Sequence, residues 1–293
     1  MKKFSSAKEF FDLYAGRKVS LATLGASNLL KSLNNDNLDF IQLAAVLERF
    51  PSVAIRIISL ANSAWSKPIK PITTLDAACS RLGTNTVKSV SIALAVSAPF
   101  NTALCPSFRP DYFWTNTMLV AEAAVLLTPF INDSASKAML PKPLDASTAK
   151  MAALLHNLGL LFLIHNYHEI SEQVLVRHNG GGAQSLNSGF FDVLGIKATD
   201  AGKVLGVELA LPTVLSAAMS EYDNVSYDQE DWQVVAVVSL AIRLVGVVNK
   251  KYEFDPDEIR FGDVMNESTL SELVNNLTKA QKSISEITKS IKW

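Results

Sequence analysis

The sequence predicts an all-α protein, and three observations predict it. Apolar residues recur at three- and four-residue spacing along most of the chain. Prolines and glycines cut that pattern into helix-length pieces. No run of alternating β-branched residues is long enough for a sheet; Val174 to Val176 is strand-like but isolated.

The elements follow in order. Leu38, Ile41 and Ala45 form one apolar stripe, with Asp36 or Asn37 placed to cap it. Phe50-Pro51 stops that helix, because a residue before proline avoids the α region. Val53, Ile57, Leu60 and Ala64 carry the next stripe, which ends in the polar break Ser66 to Pro71. Thr73 to Asp76 has capping-box spacing, Leu75, Ala78 and Leu82 follow, and Gly83 supplies the left-handed C-terminal residue. Thr84 or Asn85 then caps a helix whose stripe is Val87, Val90 and Leu94. A helix from Asp111 to Leu127 is expected to stop at Pro129, and Asn132 to Ser147 reads as a loop. Ala149 to His165 is apolar nearly all round, so it is expected to be one central, buried helix. Asn179 to Gly182 reads as a flexible loop without a phosphate-binding Lys-Ser/Thr. Helices resume from about Ser188, through Thr199 to Leu209, after Pro212, and over Trp232 to Val248. An amphipathic helix from Leu270 to Ile291, with lysines outward, completes the chain.

Bulk properties narrow the function. With 48% hydrophobic and 19% charged residues in 293, this is a folded protein. A net charge of −1 gives no global basic field for nucleic acid or anionic lipid, leaving only local patches. Cys79 and Cys105 form neither a CxxC nor a zinc cluster, which fits reduced thiols in a cytoplasmic protein. No apolar core follows Lys2-Lys3, and the longest apolar stretch, Val234 to Val248, is shorter than the roughly 20 residues that span a bilayer. No membrane association is expected.

Three constellations bear on chemistry. Ala77 to Val90 has the helix-Gly-helix layout of a DNA-binding motif, but the second helix offers Val87, Val90, Ile92 and Leu94 and only Lys88 as a cation, whereas phosphate and base contacts call for Arg, Lys, Asn and Gln. His156-Asn157 occupies a buried helix where a His-Asp pair would bind a metal; an uncharged Asn does not offset a dication. His165 and His168, beside Glu169, have the spacing to share a metal on one helix face but lack a third ligand. No catalytic residue, metal site or cofactor follows.

The order of motifs resembles the HDOD family, bacterial output domains related to the HD metal-dependent phosphohydrolases. Leu60-Ala-Asn62-Ser63-Ala64, Ile72 to Gly83, Phe113-Trp114-Thr-Asn-Thr117 and Ala153-Leu-Leu-His156-Asn157-Leu-Gly159 carry the resemblance over about Leu30 to Tyr222. It implies an HD-like multi-helix bundle with an N-terminal helical subdomain (about 1–105), an HD-like subdomain (about 110–225) and a C-terminal helical extension (226–293) packed on the same module. The ligands of catalytic relatives would fall near Asn116 and on His156-Asn157, so only His156 matches. A further family His falls on Ala198 while Gly202 is kept, an aromatic falls on Leu209, and a His-His pair falls on Ser220-Glu221.

The resemblance implies a regulatory protein that works through protein partners without catalysis; homo-oligomers remain open, and nucleic acid is not expected. Two alternatives stand beside it. One is a hydrolase assembled from His156, Asn116, Asp192 and Asp200. The other is a DNA-binding regulator using Thr84 to Ala95.

Overall fold

The computed structural model describes residues 3–14, 28–30, 32–33, 38–63, 66–133, 140, 143–179, 185–291 and 293. Among these, every regular element is helical. The all-α expectation is correct.

The N-terminal helices are α1 (Ala7–Tyr14), α2 (Phe40–Glu48), α3 (Pro51–Ala61), α4 (Leu75–Leu82) and α5 (Thr84–Ser97). Asp39 caps α2 in a reciprocal box with Gln42, so the buried face is Leu43, Ala44 and Leu47. The expected stripe is corrected by this register: Ile41 is 58% exposed. Asp36, Asn37 and Ala64 lie outside the described residues. Val53, Ile57 and Leu60 are buried on α3, as their spacing requires. Thr74, not Thr73, caps α4 by accepting from the Ala77 amide. Gly83 joins α4 to α5 with φ 82° and ψ 144°, positive in φ but extended in ψ, and it is itself the N-cap expected at Thr84 or Asn85.

The centre is built by α6 (Pro110–Asp133), α7 (Ala146–Leu155), α8 (Leu158–Asn166) and α9 (His168–Asn179). Helix α6 runs through Pro129 instead of stopping there. Leu127 and Ile131 are fully buried on either side, and this packing outweighs the hydrogen bond that proline removes. Asn132 clips the far side of the following segment by bonding both backbone groups of Leu144. The expected single helix from Ala149 to His165 is two helices, separated at His156-Asn157. Both are buried as expected. Val174 to Val176 is helical. The glycines at 180–182 lie outside the described residues.

The last helices are α10 (Leu186–Leu194), α11 (Ala198–Glu208), α12 (Thr213–Glu221), α13 (Trp232–Val248) and α14 (Glu267–Ser290). Asn266 caps α14, three residues before the expected start, and Lys279, Lys282 and Lys289 face solvent. Both α13 and α14 pack on α6. Thr115 of α6 meets Thr288 of α14 through a buried 2.6 Å hydroxyl contact, and Trp293 stacks on Trp114 at 5.3 Å.

By length and composition, Pro110–Asp133 and the stretch Ala146–Asn166 could cross a bilayer. However, 67% and 78% of their apolar windows are buried inside the bundle, where their apolar surface is already covered.

Candidate functional site

The His156-Asn157 turn lies where α7 gives way to α8. His156 is buried, and its Nδ1 bonds the Ala153 carbonyl one turn back at 2.6 Å. That bond makes Nδ1 the donor and leaves Nε2 as the lone-pair nitrogen of a neutral ring. Burial pushes the imidazole down to about 4, against the opposing pull of the Ala153 carbonyl. The ring of Tyr222 stands edge-on to it, 5.1 Å between centroids.

Tyr222 belongs to a polar cluster that sequence patterns do not reveal. The buried Asn187 on α10 donates to Asp223 Oδ2 at 2.9 Å and to the Tyr222 hydroxyl at 3.4 Å. Its Oδ1 accepts from the Ala198 amide at 2.9 Å, satisfying an otherwise orphaned donor at the start of α11. The Asp200 carboxylate accepts from the Lys197 amide at 2.7 Å, and Lys197 reaches Asp223 at 3.5 Å. Ser239 on α13 donates to the Tyr222 carbonyl. Apart from the local Lys197–Asp200 bond, these partners lie 11 to 36 residues apart, beyond the reach of helical periodicity.

Close backbone packing explains Gly159. A Cβ there would overlap the Ala198 carbonyl oxygen and approach the Gly202 amide. A Cβ on Gly202 would in turn overlap the Met219 carbonyl oxygen. Helices α8, α11 and α12 therefore approach through two glycines, with Ala198 between them. The position expected to hold a family His instead receives a neighbouring helix.

Asn116 is similarly occupied. Its amide donates to the Tyr112 carbonyl at 2.9 Å, and its Oδ1 accepts from Asn249 at 2.8 Å. Asn249 Oδ1 accepts from Gln281 at 2.7 Å. This chain of amides joins α6, the end of α13 and α14.

Of the remaining signature residues, Asn62 and Ser63 lie by the N-terminal helices and Trp114 lies on α6. Asn62 bonds both backbone groups of Ile72, donating at 2.7 Å and accepting at 2.8 Å. The Ser63 hydroxyl is buried without a partner among the described residues. Trp114 packs between Phe113 and Trp293. Cys79 and Cys105 are buried free thiols, raised to about 11 and about 12 chiefly by burial, and Glu172, which accepts from Cys105 Sγ at 3.3 Å, adds to the second.

The four groups of the hydrolase alternative are not gathered in the groove that Asp200 lines. Asp200 lines an open groove of about 540 Å³ together with Lys3, Lys197, Ser220, Glu221 and Asp223, whereas His156, Asn116 and Asp192 do not line it. Among the described residues no three His, Cys, Asp or Glu side chains form a metal-holding group. The free Nε2 of His156 could ligate, but one imidazole beside an uncharged Asn neither offsets the charge of a dication nor fills its shell. His165 and His168 sit on different helices with Tyr167 between them, and His165 Nδ1 is taken by the Asn101 amide at 3.0 Å. On α5, every residue from Val90 to Val96 is buried, so ahead of that run the helix offers a DNA groove only side chains from Thr84 to Ser89.

Helices packed around this His-Asn turn define a degenerate HD-type helical domain. The chain belongs to the HDOD domain family, whose profile matches residues 23–225. The resemblance read from about Leu30 to Tyr222 falls inside that span. A provisionally named signal transduction protein from Marinobacter aquaeolei VT8 is similar in structure, with a TM-score of 0.74 and 18% identity over 99% of this chain. The chain spans 62% of that protein's length. A provisionally named phosphohydrolase from Shewanella amazonensis SB2B has a TM-score of 0.66 and 19% identity, covering 98% of each chain. An HDOD domain protein of unknown function from Geobacter sulfurreducens has a TM-score of 0.64 and 17% identity, over 97% of this chain and 96% of its own. At these identities the likeness is one of fold. No curated protein matches the chain.

Proposed function

We propose that this chain is a non-catalytic bacterial regulatory protein of the cytoplasm that acts by binding other proteins through its exposed helical surface. One observation supports the reading most: His156 has no co-ligands, because Asn157 beside it is uncharged, Asn116 is committed to the Tyr112 carbonyl and the Asn249 amide, and among the described residues no three His, Cys, Asp or Glu side chains converge. A metal-activated water needs several converging anionic or imidazole ligands, and here Asn116, Asn157 and Ala198 stand in their places. Family membership and the signal-transduction name of the Marinobacter protein support a regulatory role.

The test is direct. Purified protein should carry less than stoichiometric manganese or iron, and adding either should leave its melting temperature unchanged. Nucleotides and phosphodiesters should stay intact. Stoichiometric metal, together with hydrolysis abolished by His156→Ala, would overturn the proposal.

A further inference from the structure

Residues 66–72, ahead of α4, are held at both ends. Asn62 bonds both backbone groups of Ile72, and Arg81 bonds the Ser66 hydroxyl and carbonyl. Between these clamps Ile69 is fully exposed at 101% of its reference surface, flanked by the exposed Lys67 and Lys70. A clamped loop loses little further entropy on docking, so a preorganised apolar tip is suited to recognition. The surrounding segment is basic: residues 39–97 hold six Lys or Arg against three Asp or Glu.

The opposite chemistry lies near the other end of the chain. Residues 221–258 hold nine Asp or Glu against three Lys or Arg. Beyond α13 is an open groove of about 450 Å³, lined by the apolar surfaces of Tyr252, Phe254 and Pro256 and by the carboxylates of Glu253, Asp255 and Glu258. Arg243 also lines it, engaging Glu258 at 3.6 Å and lying over the Tyr252 ring at 5.6 Å. Among the described residues Glu253 and Asp255 form no ion pair, and neither do Lys67 and Lys70. Since Ile69 is fully exposed, it does not fill the groove of its own chain.

We propose that the Lys67-Ile69-Lys70 tip of one copy docks into the Glu253-Asp255 groove of a second copy. Ile69 meets the apolar lining of Phe254 and Pro256, and the two lysines meet the carboxylate rim. This self-association does not depend on the regulatory reading and is measured without any other protein. Like other contacts between exposed charges, it weakens with salt.

Sedimentation velocity of the purified full chain tests it over a concentration series, at about 50 mM and about 500 mM salt. The weight-average mass should rise with concentration at low salt and fall back at high salt. Ile69→Asp should weaken association at least ~tenfold, and so should the double variant Glu253→Lys/Asp255→Lys. All three side chains are exposed, so Ile69→Asp should keep the parent's melting temperature, while the double variant, which also removes the Asp255 Oδ1 acceptor of the Asp257 amide, should melt slightly lower and remain folded. An equimolar mixture of the two variants should form a heterodimer and go no further, because each supplies the face the other lacks. A chain that stays monomeric at every concentration overturns the proposal. So does association that survives either variant, and so does a mixture that fails to form the heterodimer.

Discussion

Asn249 Nδ2 donates to Asn116 Oδ1 at 2.8 Å, and that bond places the end of α13 against α6 while Gln281 of α14 completes it from the other side. Near where the family resemblance would put a first histidine ligand, this chain has a structural amide. A side chain committed to two hydrogen bonds cannot also turn toward an ion without leaving both partners unsatisfied. Asn249→Ala should therefore cost about 1 to 2 kcal/mol, because it strands the Asn116 oxygen and the Gln281 amide together. Urea denaturation measures the loss. Combining it with Gln281→Ala should add less than the sum of the two single effects, since both remove one network.

Gly159 is constrained by contact, not by its backbone angle. Its neighbours across the crossing are the Ala198 carbonyl and the Gly202 amide, both backbone atoms that cannot step aside. Gly159→Ala should cost ~3 kcal/mol or leave the protein insoluble. Gly189→Ala is the matched comparison. Its Cβ would meet only the Val174 side chain at 3.0 Å, and a gain in helix propensity of up to about 1 kcal/mol offsets that contact. The difference in denaturation midpoint between the two variants measures the α8–α11 approach. Equal midpoints would mean that the crossing relaxes freely.

Much of this arrangement is legible in the sequence, and the limits follow from range. Stripes such as Val53-Ile57-Leu60 place α3 because helical packing has a three-to-four-residue period. The Leu38-Ile41-Ala45 stripe misplaces α2 because the register is set by one cap, Asp39, and several phases of a short apolar run satisfy the same pattern. Pro129 looks like a stop locally, yet the packing of Leu127 and Ile131 carries α6 past it. The His156-Asn157 break is invisible to periodicity because both halves are apolar on every side. At the candidate site the sequence identifies His156, Asn157, Gly159 and Ala198, whereas Asn187, Tyr222, Asn249 and Gln281 join it only through contacts distant in sequence.

Asn62 closes the loop that presents Ile69. Asn62→Asp keeps the acceptor for the Ile72 amide but turns the donor into an oxygen facing the Ile58 and Ile72 carbonyls. The loss should be about 1 kcal/mol in global stability, because the site is exposed and water replaces part of the bond. The local effect should be larger. Hydrogen exchange at the Ile72 amide should quicken in Asn62→Asp, and more so in Asn62→Ala, where the acceptor is lost as well. An unchanged exchange rate in Asn62→Ala would show that the loop closes without this side chain.

His156 makes stability depend on pH in a defined window. Its ordinary value of 6.5 applies to the unfolded chain, while burial holds the folded imidazole at about 4. Between these values the unfolded chain carries a proton that the native state refuses. The unfolded state thus binds more protons, and stability must fall as pH drops. The contribution is complete above about pH 7 and is lost progressively from about 6.5 to about 4, amounting to roughly 3 kcal/mol in all. His156→Gln removes the titrating group while keeping a donor for the Ala153 carbonyl. Denaturant-derived stabilities of the two proteins should converge toward pH 4, with the parent losing one more proton's worth of slope across the window. Parallel curves would mean that His156 takes up its proton in the folded state, as a solvent-accessible ring would.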